Sequence, residues 1–218
     1  MDLIRSSKRV LDPIDRVSEV LFGLIMFLTF TGSLSVATAG RDAVHVMLVG
    51  ALGCNLAWGI IDGVFYLMGC LADKGCGLAT LQAVRRSKSP REATRLIADA
   101  LPSVIASIVQ PEELENLHQR LKQLPEPPAR AHLRRDDWLG AAGVALLVFL
   151  STIPVAVPFV FIQNAGPALR VSNAVAIAML FICGFAFGHM TGRRPLRIGI
   201  AMVMLGAILV GISMALGG

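Results

Sequence analysis

Charged residues are scarce in this 218-residue chain. Asp, Glu, Lys and Arg together make up 16 % of the residues, whereas a soluble domain has about 25 %. The charges are also uneven, since most lie before Val17, between Asp73 and Asp137, or between His189 and Arg197. The long stretches between these clusters are almost uncharged, which argues against a soluble fold.

Motifs of enzymes and of metal cofactors are also missing. There is no catalytic triad, phosphate-binding loop, zinc signature or acid/base pair, so an enzyme is not indicated. Cys54, Cys70 and Cys183 lie in apolar stretches, where a small apolar residue is the ordinary interpretation. Cys76 follows Cys70 at a spacing that matches no metal motif. We expect no disulfide and no permanently bound cofactor.

Long apolar segments are what the chain has in abundance. Apolar residues make up 55 % of it and its mean hydropathy is +0.67. A transmembrane helix needs about 20 mostly apolar residues. The sequence therefore predicts an all-α polytopic membrane protein with five transmembrane helices, at Val17–Thr38, Val44–Leu71, Trp138–Ile162, Val171–Gly188 and Ile198–Leu216. The second exceeds what a bilayer requires, so it should tilt or project into the cytosol.

The positions of Lys and Arg predict the orientation of these spans. Basic residues precede the first span and follow the second and fourth, whereas the opposite loops hold only Arg41 and Arg170. The N-terminus is therefore expected in the cytosol and the C-terminus outside. Basic loops beside anionic lipid also explain the net charge of +5, so no nucleic-acid partner is expected. Sixteen Arg to four Lys hints at a GC-rich bacterial genome and thus a plasma membrane.

A polar insert divides the spans into two groups. We predict residues 1–72 as the N-terminal segment with two spans, 73–136 as a small cytosolic helical insert, and 137–218 as three further spans. Ser89-Pro90-Arg91-Glu92 is a capping box that opens one helix of the insert. Pro111 opens another, with an apolar stripe of Leu114, Leu117, Leu121 and Leu124.

Two small-xxx-small pairs predict close helix packing in the spans. Gly59 and Gly63 form one pair and Gly184 and Gly188 the other. Such pairs let two helices approach closely in lipid. They do not by themselves predict a dimer.

Ionisable residues inside spans are costly and mark candidate sites. Asp62 lies far from either end of the second span. Its interpretation as a structural residue paired with a neighbouring span stays open. Asn55 is two turns away on the same face of the helix, together with Gly59 and Tyr66.

The first span adds acidic residues at helical spacing. Asp15 also fits an ordinary place in the first turn of a helix, but Glu19 lies one turn deeper. Met26 is expected at about the depth of Asp62 if the two spans are antiparallel. Carboxylates beside a thioether suit a borderline transition metal, although Met in a span is more often filler.

Two other segments carry weaker signals. Pro154 and Pro158 should break the third span and free backbone carbonyls. In the insert, Glu112, Glu115 and His118 recur at three-residue steps and are weak metal candidates. A solvated amphipathic face is the other interpretation of these three residues.

The second half of the chain contains two longer motifs, Phe181-x2-Gly184-x3-Gly188-His189-x-Thr191-Gly192-x-Arg194-Pro195 and Ile153-Pro154-x3-Pro158-Phe159. These motifs, and the order of two spans, an insert and three spans, resemble the vacuolar iron transporter family. The resemblance implies a dimer that exchanges protons for Fe²⁺ or Mn²⁺. It implies that Asp15 matches the first-span Asp of the family's pathway, that the second-span Glu falls on Asn55, and that the metal-contacting Met falls near Gly63.

The insert departs from the family's pattern. The first soluble helix of the family carries clustered Glu residues that bind iron, whereas Leu71–Ser87 contains only Asp73 and is basic. We expect a proton-coupled exporter of Fe²⁺ or Mn²⁺, with a metal site made by Asp15, Glu19, Met26, Asn55 and Asp62. The alternative is a transport-inactive membrane scaffold or docking subunit that keeps the transporter's layout.

Overall fold

The computed structural model describes residues 13–32 and 41–215. These residues form eight α-helices and no β-strand. The helices are α1 (Pro13–Gly32), α2 (Arg41–Arg86), α3 (Pro90–Ala100), α4 (Ser103–Ala106), α5 (Pro111–Gln123), α6 (Arg135–Phe161), α7 (Ala165–Met190) and α8 (Pro195–Ala215).

Four helices of the described residues are long and apolar enough to cross a membrane: α2, α6, α7 and α8. This confirms an all-α membrane protein. The described part of the predicted first span, residues 17–32, lies in α1, which begins four residues earlier and carries three charged side chains, Asp15, Arg16 and Glu19. The remainder of that predicted span, 33–38, lies outside the described residues.

The described residues fall into two compact units. One lies within Met1–Tyr66 and Arg135–Gly218, and the other within Leu67–Arg134. The division predicted from sequence, at 72 and 136, stays a prediction.

The core of the first unit is built around α1. Leu24 and Phe27 of this helix are fully buried and pack with Ala51 of α2, Val155 of α6 and Leu180 of α7. Burial on this scale makes α1 an interior helix of its unit, so a polar side chain on α1 faces protein as well as lipid or water.

The helix α2 is much longer than its predicted span. It continues without interruption to Arg86, 46 residues in all, which corresponds to about 70 Å. A bilayer core is only about 30 Å thick. The helix is therefore longer than a bilayer core is thick, and it continues without a break through Gly75 and Gly77.

The prolines of α6 do not break it. The helix runs through Pro154 and Pro158 to Phe161, which corrects the predicted interruption. Each proline still removes one N–H donor from the helix. Hydroxyl groups bond to carbonyls of the same region: Ser151 donates to Val148 O, and Ser172 of α7 donates to Val155 O, both at 2.7 Å. The segment thus stays helical although it lacks two backbone donors.

A tight turn joins α7 to α8. Gly192 has a φ of +68°, a left-handed conformation that favours glycine. Arg193 N–H donates to Gly188 O at 2.9 Å, which caps the end of α7. The turn brings Gly184 and Gly188 against α8, where an added Cβ would lie 2.8 Å from Met202 Cγ and from Pro195 Cα, respectively. The second predicted small-xxx-small pair is thus confirmed as a close contact within one chain.

The second unit has a core of its own. Val84 of α2, Ala93 and Ile97 of α3 are buried together, and Leu114 and Leu121 of α5 pack against them. Ser89 is confirmed as the N-cap of α3, since its Oγ accepts a hydrogen bond from Glu92 N–H at 3.2 Å. The Glu92 carboxylate accepts from Lys88 N–H and not from Ser89 N–H, so the reciprocal half of the predicted capping box is replaced by a bond one residue earlier. Arg85 of α2 donates to the carbonyls of Leu121 and Leu124 at the end of α5. These contacts hold the helices of the insert on the end of α2.

Candidate functional site

The first two helices bring predicted site residues together. The carboxylate of Glu19 on α1 interacts electrostatically with those of Asp62 on α2 and Asp15 one turn away. Glu19 and Asp62 are partly buried, whereas Asp15 is exposed. Carboxylates from two different helices therefore repel each other within an apolar unit, where like charges repel more strongly than in water.

An aromatic contact defines the register of α1 on α2. The rings of Phe22 and Trp58 lie 6.0 Å apart between centroids, at 68°, an edge-to-face arrangement. Phe22 follows Glu19 by three residues and Trp58 precedes Asp62 by four. From the carboxylates to the aromatic rings, the residue numbers increase along α1 and decrease along α2. The two helices are therefore antiparallel, and the aromatic pair lies one turn from the carboxylate pair.

This register corrects the expected depth of Met26. Met26 is seven residues beyond Glu19, and Asn55 is seven residues before Asp62. Seven residues are about 10 Å along a helix. Met26 therefore lies at the level of Asn55, not at that of Asp62. The five predicted residues therefore lie at three levels along the α1–α2 pair. Asp15 is at the first level, Glu19 and Asp62 are at the second, and Met26 and Asn55 are at the third.

Two oxygens on this face of α2 lack hydrogen bonds within the described residues. Asn55 is 1 % exposed, and its Nδ2 donates to Ala51 O at 3.0 Å while its Oδ1 has no partner. Asp62 Oδ2 is also buried without a partner among these residues. A buried unsatisfied polar atom costs about 1–3 kcal/mol. Such an oxygen can accept a hydrogen bond from a further donor or coordinate a cation.

Small residues bring α6 against the same face. An added Cβ at Gly59 would lie 2.8 Å from Ala145 O, and one at Gly63 would lie 2.9 Å from Ala141 O. Gly140 of α6 lies against the ring of Tyr66. The first small-xxx-small pair is thus confirmed as a close contact of α2 with α6. The segment of α2 that packs against α6 through these glycines also carries Asp62, which lies between them in sequence.

The sequence interpretation did not single out three buried hydroxyl residues, Ser151 and Thr152 of α6 and Ser172 of α7. They are 6 %, 0 % and 0 % exposed, respectively. Gly23 of α1, one turn beyond Glu19, lies directly against Ser151 Oγ. The sequence shows only a glycine and a serine, each in an apolar segment. Their contact results from the packing of α1 on α6, which the sequence does not reveal.

The candidates of the insert are not brought together. Glu112 and Glu115 are exposed on α5, whereas His118 is 2 % exposed. Neither ring nitrogen of His118 has a hydrogen-bond partner in the described part of the chain. Across residues 13–32 and 41–215, no group of three or more His, Cys, Asp or Glu side chains is arranged to hold a metal ion.

Comparisons with known proteins relate the chain to one family. The model of the VIT family matches residues 81–218. The chain is also 24 % identical over 207 residues to vacuolar iron transporter 1 of Arabidopsis thaliana, an alignment that covers 88 % of this chain and 81 % of that protein. The family match begins beyond Asp62, so it covers α3 to α8 and the end of α2 but not the carboxylate pair.

Proposed function

Since the chain belongs to the VIT family and is an integral membrane protein, not an enzyme, we propose that it is a proton-coupled transporter that exports Fe²⁺ or Mn²⁺ from the cytosol. The substrate proposal draws on the similarity to a protein named as an iron transporter. The residues of α1 and α2 supply the mechanism.

One observation carries the proposal: the carboxylates of Glu19 on α1 and Asp62 on α2 repel each other electrostatically. Two negative charges in a medium of low dielectric constant repel each other. Either a divalent cation or a proton removes this repulsion. The two ligands compete for the same pair of carboxylates, so release of one favours binding of the other. This competition is the physical basis of proton–metal exchange.

The levels along α1 describe a route for the ion. Asp15 is exposed and attracts a cation to the end of the helix. The ion then reaches Glu19 with Asp62, and next the level of Met26 with Asn55, where the free Oδ1 of Asn55 is available. Carboxylate and amide oxygens suit Mn²⁺ and Fe²⁺, and one thioether adds a softer ligand. Cu⁺ would require more sulfur.

The proposed topology has five spans, with α1 added to α2, α6, α7 and α8. Its charged end, from Asp15 to Glu19, would lie towards the cytosol. Basic residues before α1 and after α2 and α7 favour a cytosolic N-terminus and an external C-terminus. We propose the bacterial plasma membrane as the location and a homodimer as the assembly. The close glycine contacts described above are within one chain, so a dimer would use other surfaces.

The experiment is a flux assay in proteoliposomes loaded with a metal-sensitive dye. An imposed pH gradient should drive uptake of Fe²⁺ or Mn²⁺ by the wild-type protein, and uptake should fall when an ionophore removes the gradient. Ca²⁺ and Cu⁺ should be transported more slowly. Uptake that does not depend on the pH gradient would refute proton coupling. If none of the tested ions is taken up, transport itself is refuted.

A membrane scaffold is the second candidate, and the composition of the insert favours it. The end of α2 from Leu71 to Arg86 contains only one acidic residue, Asp73. The insert of such a scaffold would serve docking instead of metal capture. Thermal stability of the purified protein separates the two candidates. Fe²⁺, Mn²⁺, Co²⁺ and Zn²⁺ at high micromolar concentration should stabilise a transporter and leave a scaffold unchanged.

A further inference from the structure

A surface groove of about 580 Å³ lies between α7 and α8. Four residues of α7 and three of α8 line it, and all seven are apolar. Ile200 and Met204 in its wall are 57 % and 55 % exposed, so the groove is open to the surroundings of the helices. Because both helices are long and apolar enough to cross a membrane, these surroundings are lipid chains.

A cluster of three arginines lies next to one end of the groove. Arg193 and Arg194 are in the turn between α7 and α8, Arg197 is in the first turn of α8, and all three are exposed. Arg197 precedes Ile200 by three residues and Met204 by seven, so these three side chains share one face of α8. The rise from Arg197 to Ile200 is about 4.5 Å. The charged surface of α8 therefore continues directly into the apolar wall of the groove.

The charge of this arginine cluster is not balanced within its own part of the chain. Residues 165–215 contain no Asp or Glu. In the described part of the chain, no ion pair joins Arg193, Arg194 or Arg197 to a carboxylate. Like charges so close together repel one another, and a bound anion relieves this repulsion. Guanidinium groups donate in a planar fork that suits phosphate oxygens, so the cluster is suited to a phosphate group.

The short connection between the helices places the arginine cluster at the headgroup level of a bilayer. Four residues, 191–194, separate the two spans, and Arg193 N–H donates to Gly188 O at 2.9 Å within the turn. A turn this short between two spans lies at a surface of the membrane, and the groove begins about one helical turn deeper. Both features belong to one compact unit, so their relation does not depend on the insert. Basic clusters at this level bind anionic lipid headgroups.

We propose that Arg193, Arg194 and Arg197 bind the phosphate of an anionic phospholipid and that the groove between α7 and α8 holds the upper part of one acyl chain. A free phosphate would use the arginines and gain nothing from the groove. A zwitterionic lipid would fill the groove, but the arginines would repel its cationic group. The site is separate from the carboxylate pair of α1 and α2. It rests on the placement of the chain in a membrane, not on the proposed transport.

The test measures lipid binding to the full-length protein in a neutral detergent by native mass spectrometry. The probes are dioleoyl phosphatidylglycerol, dioleoyl phosphatidylcholine and glycerol 3-phosphate. The wild type should bind phosphatidylglycerol at least about tenfold more tightly than the other two. R194Q/R197Q should lose the preference for phosphatidylglycerol over phosphatidylcholine. K88Q/R91Q removes the same charge from exposed positions of the insert, and it should keep the preference.

A second variant tests the groove while all three arginines remain, and it keeps the test decisive if R194Q/R197Q fails to fold. Ala178 lines the groove and is exposed. Ala178→Phe fills the groove with an apolar ring and should weaken phosphatidylglycerol binding by about threefold or more, because the acyl chain loses its packing contacts. Ala142→Phe, at an exposed position of α6 outside the groove, is the matched control and should bind as the wild type does.

Four results would overturn the proposal. The first is a wild type without preference for phosphatidylglycerol, which is the result expected if a second copy of the chain covers the groove. The second is an equal loss of preference in K88Q/R91Q, and the third is unchanged binding by Ala178→Phe. The fourth is glycerol 3-phosphate binding as tightly as the lipid, because the arginine cluster would then be a general phosphate site.

Discussion

Glu19 on α1 and Asp62 on α2 form an electrostatically coupled carboxylate pair between two antiparallel helices. The residues are 43 positions apart in sequence, and each is partly buried. Asp15, Met26 and Asn55 are related to these two carboxylates by one or two helical turns along α1 or α2. The predictions below test this carboxylate pair and the packing that supports it.

The coupling predicts that the two carboxylates act as a unit. Glu19→Gln and Asp62→Asn should each lower metal affinity by about tenfold or more, and the double variant should lose little beyond either single one. Isothermal titration with Mn²⁺ measures the three affinities. Glu126→Gln, at an exposed position of the insert, is the control and should leave the affinity unchanged. Strictly additive losses would mean that the carboxylates bind separately.

The edge-to-face pair of Phe22 and Trp58 should maintain the register of the carboxylates. Such a pair contributes about 0.5–1.5 kcal/mol beyond its buried area. Trp58→Ala should therefore slow metal uptake with only a modest loss of thermal stability, and Trp58→Phe should recover most of the rate. Trp138→Ala, at an exposed position outside this contact, is the matched control. Equal uptake by Trp58→Ala and wild type would exclude a role in positioning.

Close packing of α2 on α6 makes Gly59 intolerant of a side chain. Gly59→Val would place a Cβ 2.8 Å from Ala145 O, whereas the same change at Gly53 meets no heavy atom within 4 Å. Overpacking typically costs about 1–3 kcal/mol. Thermal unfolding in detergent should show a clear loss for Gly59→Val and little change for Gly53→Val. Similar stability of both variants would contradict the observed contact.

His118 should be a destabilising residue of the insert. It is 2 % exposed and neither ring nitrogen has a partner among the described residues. His118→Leu removes two unsatisfied polar atoms at similar volume and should stabilise the insert by about 1–3 kcal/mol. Hydrogen exchange of the amides in 84–123 in the full chain measures this effect. His45→Leu, at an exposed position of α2, should not change that exchange. Faster exchange in His118→Leu would instead mean that the imidazole is bonded in solution.

Features that depend on local sequence were predictable. The apolar runs of α2, α6, α7 and α8 and the cap at Ser89 rest on composition and neighbouring residues alone. The two glycine pairs were also identified, because small residues at four-residue spacing have few other uses in a span. Their partners, α6 and α8, could not be named from the sequence.

Features that depend on tertiary packing were not predictable. The depth of Met26 was wrong because the antiparallel register of α1 on α2 is set by contacts such as Phe22 with Trp58. The break expected in α6 was also wrong, since the helix runs through Pro154 and Pro158 to Phe161. The burial of α5 also differs from the expectation based on its leucine stripe: His118 is buried, whereas Leu117, a member of that stripe, is 38 % exposed.

The most direct test of the central claim is metal uptake by proteoliposomes containing wild type, Asp62→Asn or the control Asp73→Asn. Asp73 is exposed on the same helix, outside the carboxylate pair. The account predicts pH-gradient-driven uptake of Mn²⁺ or Fe²⁺ by wild type and Asp73→Asn, with uptake by Asp62→Asn reduced to background although the protein remains folded. Unchanged uptake by a folded Asp62→Asn protein would contradict the account.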